Sequence, residues 1–379
     1  MISRERMTNH LMDLIRIDSP SKKEKEVALK LEAEMKQLGA DCIFDNVGEI
    51  INGNVGNLIV KVKGNTDAPT FFLSSHMDTV EPGLGIKPRI EDGIMRSDGT
   101  TILGSDDKSG VSIIVEIIKT LKEQNIPHGD IEVAFTICEE IGLLGAKYID
   151  ITQFNSKYGI VLDSSTPKRL VLKCPTSDYA VFKVHGLEAH AGLCPENGIN
   201  SIKIVSEAIS NMTIGRIDHE TTSNIGIISG GVATNIIPNY VMVKGEARSH
   251  NNEKLDKEIE HMCKCFNDAA DKYSVTLEGK TIKPTVEIEI ERVYEKMDVS
   301  SEAHITRLVD RAVDNLGHEI EHHTTGGGCD ANYFNNMGLE CVNLGTGMYE
   351  LHTVNEHVIM DEFYRSADIV LETIKLNAA

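Results

Sequence analysis

Apolar positions along this chain repeat with two periods. Short apolar runs bounded by turn residues occur at Leu58 to Val62, Phe71 to Ser75, Ile131 to Ile137 and Tyr158 to Leu162, with a weaker one at Cys42 to Asp45. Runs of this length read as buried strands. Between them the period lengthens. From Ser21 to Leu38, Val27, Leu31, Met35 and Leu38 form one helical stripe, with Ser21 and Glu24 as a capping box and Gly39 as the stop. A second, apolar helix is expected from Ser109 to Lys122. Strands alternating with helices predict an α/β fold with a mostly parallel central sheet covered on both faces.

Around Lys173 to Ser177 the pattern changes. Strands are expected at Asp178 to His185, Ile225 to Ser229 and Tyr240 to Arg248, and helices at Asn200 to Asn211 and Asn252 to Tyr273. Val286, Ile288 and Ile290 then alternate with Glu287, Glu289 and Glu291, which marks a strand with one wet face. This order, β-α-β-β-α-β, is that of a ferredoxin-like α+β unit. The helix/strand alternation resumes after Lys296, with a helix at Ser301 to Leu316, a strand at Cys341 to Leu344 and a last helix from about Asp361. The expected organisation is a discontinuous domain, 1–175 and 297–379, interrupted by an inserted domain, 176–296.

The length of 379 residues agrees with two domains. A net charge of −20 argues against a nucleic-acid partner, which needs a basic patch. No apolar run is long enough to span a membrane. The first residues, MISRERMTNHLMDLIRI, read as an amphipathic helix rather than a signal peptide. The eight cysteines include no CxxC, and Cys263 and Cys265 lie two apart on a predicted helix, facing apart. A reduced, cytoplasmic protein is expected.

The polar residues at the strand ends carry the chemistry. His76 and Asp78 are two apart where an extended strand stops, so both point to one side at the edge where open α/β sheets hold ligands. Asp106-Asp107, Glu139-Glu140 and Asp163 occupy equivalent places, and His352 follows a strand beyond the inserted domain. Taken singly, these are a helix cap, a solvated turn, a turn aspartate and a surface histidine. Together they put several carboxylates and two imidazoles on one edge, which calls for a cation. Imidazole and carboxylate suit zinc and similar ions, and about five ligands suit two ions sharing a carboxylate.

The segments SSHMDTV, GSDDKSG, TICEEIGLLGA, LDSS, HAG, NIIP, GGGCD and MYELHTVNE, in this order, resemble the M20 metallopeptidases, and within them the peptidase T (tripeptide aminopeptidase) branch. The resemblance covers essentially the whole chain. It implies that His76, Asp106, Glu140, Asp163 and His352 bind two zinc ions per subunit (cobalt or manganese would fit the same donors), with Asp106 bridging and Asp107 behind it. It implies that Asp78 orients His76 and that Glu139 is the general base, acting on a metal-bridging water to hydrolyse short peptides. In the inserted lid, His190 would stabilise the oxyanion, often in the partner subunit's site, and Asn235 and Arg248 would bind substrate. Gly326 to Gly328 with Asp330 resembles the family's glycine loop. A homodimer through the inserted domain is implied as well. The motifs leave open a carboxypeptidase or an N-acyl-amino-acid amidohydrolase, since an Arg that grips a carboxylate serves all three. They argue against a non-catalytic peptide or metal binder, which would be expected to have lost part of the set.

Overall fold

A computed structural model describes residues 1–379. The chain divides into two units, one of residues 1–174, 297–325 and 329–379, the other of residues 175–296 and 326–328.

The first unit is built on a nine-stranded sheet. Its centre is four parallel strands in the spatial order Ile131–Thr136, Phe71–His76, Tyr158–Ser164 and Glu340–Gly345. The strands outside them run antiparallel, Leu58–Val62 and Asp41–Phe44 on one side and Arg169–Cys174 on the other. The sheet is therefore mixed: parallel in the middle, antiparallel where Leu58–Val62 and Arg169–Cys174 join it, with Glu321–Thr324 added parallel to Arg169–Cys174. Burial gives the reason. Every residue of Phe71–His76 and Ile131–Thr136 is buried, whereas Asp41–Phe44 is half exposed and is free to pair as an edge hairpin. Helices Arg4–Ile15, Lys25–Gln37, Ser105–Glu123, His304–Asn315 and Met360–Asn377 supply the rest of the core. Phe72 anchors it, edge-on to Phe154 at 5.1 Å and to Phe334 at 5.0 Å.

Two local features lie outside the sequence pattern. The turn-rich stretch from Gly83 to Thr101 holds two short strands, Arg89–Glu91 and Ile94–Arg96. They join Met348–Tyr349 and His357–Ile359 in a small separate sheet. Strands of two or three residues show no period, so the pattern cannot reveal them. The capping box is also absent. The helix starts at Lys25, and Glu24 makes no capping bond. Lys22, at φ +73°, turns the chain first, and the Ser21 and Glu24 side chains point toward the sheet instead.

The second unit carries a five-stranded antiparallel sheet in the order Gly215–Arg216, Thr221–Gly230, Tyr240–Ser249, Thr176–His185 and Thr285–Tyr294. With helices Ser201–Ser210 and Asn252–Ala270, the four long strands have the order of a ferredoxin-like unit. Phe182 stacks on Phe266 at 4.0 Å between sheet and helix. Val286 and Ile288 pack on this core while Glu287 and Glu289 are exposed, but Ile290, expected on the same face as Val286 and Ile288, is exposed. All eight cysteines are free thiols, and no helix is long and apolar enough to cross a membrane.

Candidate active site

The polar residues gather at the C-terminal ends of the parallel strands of the first unit. His76 ends its strand and is 2% exposed. Its Nδ1 lies 3.0 Å from the Asp78 carbonyl and 3.4 Å from Asp78 Oδ1, and its Nε2 is 3.1 Å from Asp106 Oδ1. The neighbouring strand, Ile131–Thr136, runs into Cys138, held at φ +54°, and then Glu139-Glu140. The backbone N–H groups of Glu139 and Glu140 donate to the Asp78 carboxylate at 2.9 and 3.3 Å. Asp78 thus holds the imidazole and the glutamate loop together. A strand further on, the backbone of Asp163 is gripped twice by the Asn343 side chain, at 2.9 and 2.6 Å.

Asp106 and Asp107 lie in the first turn of the long helix but have non-helical backbone angles. Asp106 presents one oxygen to each of two imidazoles, Oδ1 to His76 and Oδ2 to His352 Nε2 at 3.3 Å. His352 sits at φ +60° in the loop between the short strands Met348–Tyr349 and His357–Ile359, and its Nε2 also lies 3.0 Å from Glu140 Oε2. The small sheet missed in the sequence is what carries this histidine. Asp107, expected only behind the ligands, accepts from Ser75 Oγ at 2.5 Å and from the N–H groups of His76 and Gly110, each at 3.3 Å.

Donor atoms of His76, Asp106 and Glu140 lie within 4.8 Å of one another, and so do those of His76, Asp107 and Asp163. The electrostatics ask for a cation there. Burial, then Asp163, pushes Glu139 and Asp107 well above the usual carboxylate range, and burial, then Asp106, does the same to Asp163. Asp106 goes the other way, because His352 and His76 outweigh its burial. The carboxylates of Asp106 and Glu140 raise His352 to about 10. Oε1 of Glu140 is buried with no hydrogen-bond partner. An orphaned carboxylate oxygen among imidazole and carboxylate donors fits a divalent metal of the zinc, cobalt or manganese type.

The second unit holds the other three residues. His190 and Asn235 are neighbours. His190 pairs with Ile236 in an isolated bridge, and Ala191 N–H donates to the Asn235 carbonyl at 2.9 Å. His190 Nδ1 accepts from the N–H groups of Gly192 and Leu193, each at 3.2 Å. A neutral ring so held carries its proton on Nε2, as a donor. Arg248 lies at the opposite end of the Tyr240–Ser249 strand, with Nη2 on Glu246 at 2.9 Å and Nη1 3.5 Å from the Gly326 carbonyl. Its Nε is buried and unpartnered.

The motif reading gives Glu356 no role and places Asp330 only beside the glycine loop. Glu356, four after His352 in MYELHTVNE, is buried and accepts from the N–H groups of Leu103, Gly104, Ser105 and Asp106 and from the Ser105 hydroxyl. Its place in that segment is the only signal in the sequence. Asp330 accepts from Thr136 Oγ1 at 2.5 Å, and burial raises it to about 6.

Comparison with known proteins gives the same direction. Residues 72–376 match the model for peptidase family M20/M25/M40. The chain is 39% identical over 376 residues to the uncharacterized protein YqjE of Bacillus subtilis (strain 168), covering 99% of each. Its fold matches the crystal structure of the aminopeptidase PepT from Bacillus cereus, with TM-score 0.87 and 38% identity over 100% of both chains. It also matches a tripeptidase from Staphylococcus aureus, with TM-score 0.92 and 34% identity over 100% of this chain and 99% of that one. With a matched span that includes every residue of the strand-end cluster, the chain belongs to peptidase family M20/M25/M40.

Proposed function

We propose that this peptidase is a di-zinc aminopeptidase that removes the N-terminal residue from short peptides, tripeptides among them. The observation that carries the reading is Asp106, which offers one oxygen to His76 and the other to His352. Two ions would be held by donors drawn from His76, Asp106, Glu140, Asp163 and His352, with Asp106 between the two imidazoles. Bound metal would acidify a water and polarise the scissile carbonyl. Glu139, buried and with raised proton affinity, takes a proton from the attacking water and returns it to the leaving amine. Asp78 sets both the His76 ring and the Glu139 backbone. His190, with its outward donor, stabilises the oxyanion. The aminopeptidase and tripeptidase relatives support the choice of substrate end and length.

The second unit supports a homodimer. Arg248 and the His190/Asn235 pair lie at opposite ends of a 10-residue strand. At about 3.4 Å per residue that is some 25–30 Å, while a tripeptide spans about 10 Å. One peptide reaches both only if they come from different subunits. Eight free cysteines support a reducing, cytoplasmic setting. The alternative is a carboxypeptidase or N-acyl-amino-acid amidohydrolase, favoured by the unpartnered Arg248 Nε, a donor suited to a substrate carboxylate. One tripeptide assayed free, N-acetylated and C-amidated, with zinc and with a chelator control, decides between them. Cleavage that tolerates amidation and stops on acetylation upholds the aminopeptidase, and the reverse upholds the alternative.

A further inference from the structure

We propose that Ser21 and Glu24, in the turn before the second helix, are positioning residues that clamp Asp78 and the Cys138–Glu140 loop in the geometry the reaction uses. The inference rests on the reading of Glu139 as the base.

The contacts bridge segments distant in sequence. Ser21 Oγ donates to Asp78 Oδ2 at 2.6 Å. Glu24 Oε1 accepts from the N–H of Lys22 at 2.9 Å, the N–H of Cys138 at 3.1 Å and the thiol of Cys138 at 3.2 Å. Lys22 N–H also approaches Cys138 Sγ at 3.2 Å. Cys138 is the residue immediately before Glu139, and it adopts φ +54°, a conformation sparsely populated by side chains with a Cβ. Such a backbone persists where its surroundings over-determine it. Here Glu24 holds the N–H of Cys138, and Asp78 holds the next two.

The clamp has two arms that meet at Asp78. One oxygen of Asp78 takes the N–H of Glu139 and faces His76 Nδ1, and the other takes the Ser21 hydroxyl and the N–H of Glu140. Ser21 therefore fixes the rotation of the carboxylate on which both ring and loop depend. Helix capping does not explain Glu24. It is fully buried, makes no capping bond, and leaves Oε2 buried without a partner. Burying a carboxylate in this way opposes folding, whereas a capping glutamate at the surface would not. What the position does achieve is a rigid tie from the first helical layer to the base-bearing loop. Outer contacts of this kind typically tune activity by about 10–100-fold.

The test compares E24A, E24Q, S21A and E139A with the wild-type chain, each loaded with zinc. The readouts are tripeptide kinetics, metal content by mass spectrometry and, on the metal-free proteins, amide hydrogen exchange. E24A and S21A are expected to lose about 10–100-fold in kcat with KM changed less than about threefold, at wild-type metal content. E24Q keeps the Oε1 acceptor and should recover most of the loss. Exchange at Cys138, Glu139 and Glu140 should quicken in E24A and S21A while the central strands stay protected. If E24A does not fold, S21A alone decides. Wild-type kcat in S21A and E24A, or faster exchange spread evenly over the sheet with no rescue by E24Q, overturns the clamp. Full activity in E139A instead overturns the base, while the local exchange result still reports on the clamp.

Discussion

The backbone N–H of Asp106 donates to Glu356 Oε1 at 3.1 Å, across 250 residues of sequence. Glu356 is the last residue of the segment that supplies His352, so one loop delivers an imidazole to Asp106 and a buried carboxylate to the backbone behind it. That carboxylate also takes the N–H groups of Leu103, Gly104 and Ser105. In E356Q an amide N–H would face donors where an acceptor stood. We expect a loss of roughly 3 kcal/mol or more in stability, read by urea titration, together with weaker metal retention.

Glu139 is placed to move a proton. E139Q should keep its metal and its fold while kcat falls by about a hundredfold or more. Steady-state kinetics beside metal analysis checks this. Unchanged turnover would sink the assignment of the base.

Metal uptake should release protons. In the metal-free chain Asp106 and Glu140 raise His352 to about 10, so its ring carries a proton near neutral pH. A ligating imidazole is neutral, so binding expels that proton. Affinity should fall as the pH is lowered. Calorimetry of zinc binding in buffers of different ionisation enthalpy measures the number released, and zero would contradict the expected ligand set.

A stability effect far from the metal cluster follows from Glu34. Burial would raise this carboxyl, but His10 at 2.9 Å and Lys30 at 2.7 Å outweigh it and hold it at about 2. A folded-state value below the unfolded one stabilises above the unfolded value of about 4.5, and the contribution is lost as pH falls toward 2. E34Q should therefore be less stable than wild type at pH 6, by at most about 3 kcal/mol, and the gap should close on acidification through this window. Denaturation midpoints of both proteins along a pH series test the sign.

The strand-end cluster is legible because its residues stand where apolar runs stop. His76, Glu139-Glu140 and Asp163 each follow a strand whose burial is visible as a continuous apolar run, and parallel strands end on one edge. His352 was harder. Its flanking strands have two and three residues, and alone it reads as a surface histidine, so only its company with the other strand-end residues and the resemblance mark it. Ser21 and Glu24 were misread, since S-x-x-E before an apolar stripe describes a capping box equally well. Local pattern cannot tell whether a side chain folds back on its own helix or reaches a loop 114 residues away.

What the linear chain carries, then, is its periods: which segments are strands or helices, which faces are wet, and which polar groups end each strand. These follow from local sterics and from apolar burial, which act at the scale of a few residues. Only the tertiary structure decides that Asp106 stands between His76 and His352, that Glu356 and Asn343 hold the backbones of Asp106 and Asp163, and that Ser21 turns toward Asp78 and Glu24 toward Cys138. Those contacts join residues from 30 to 250 apart in the chain, and several depend on single left-handed residues such as Lys22, Cys138 and His352. They are set by which partners satisfy a buried polar group once the sheet has formed, and no local period encodes that choice.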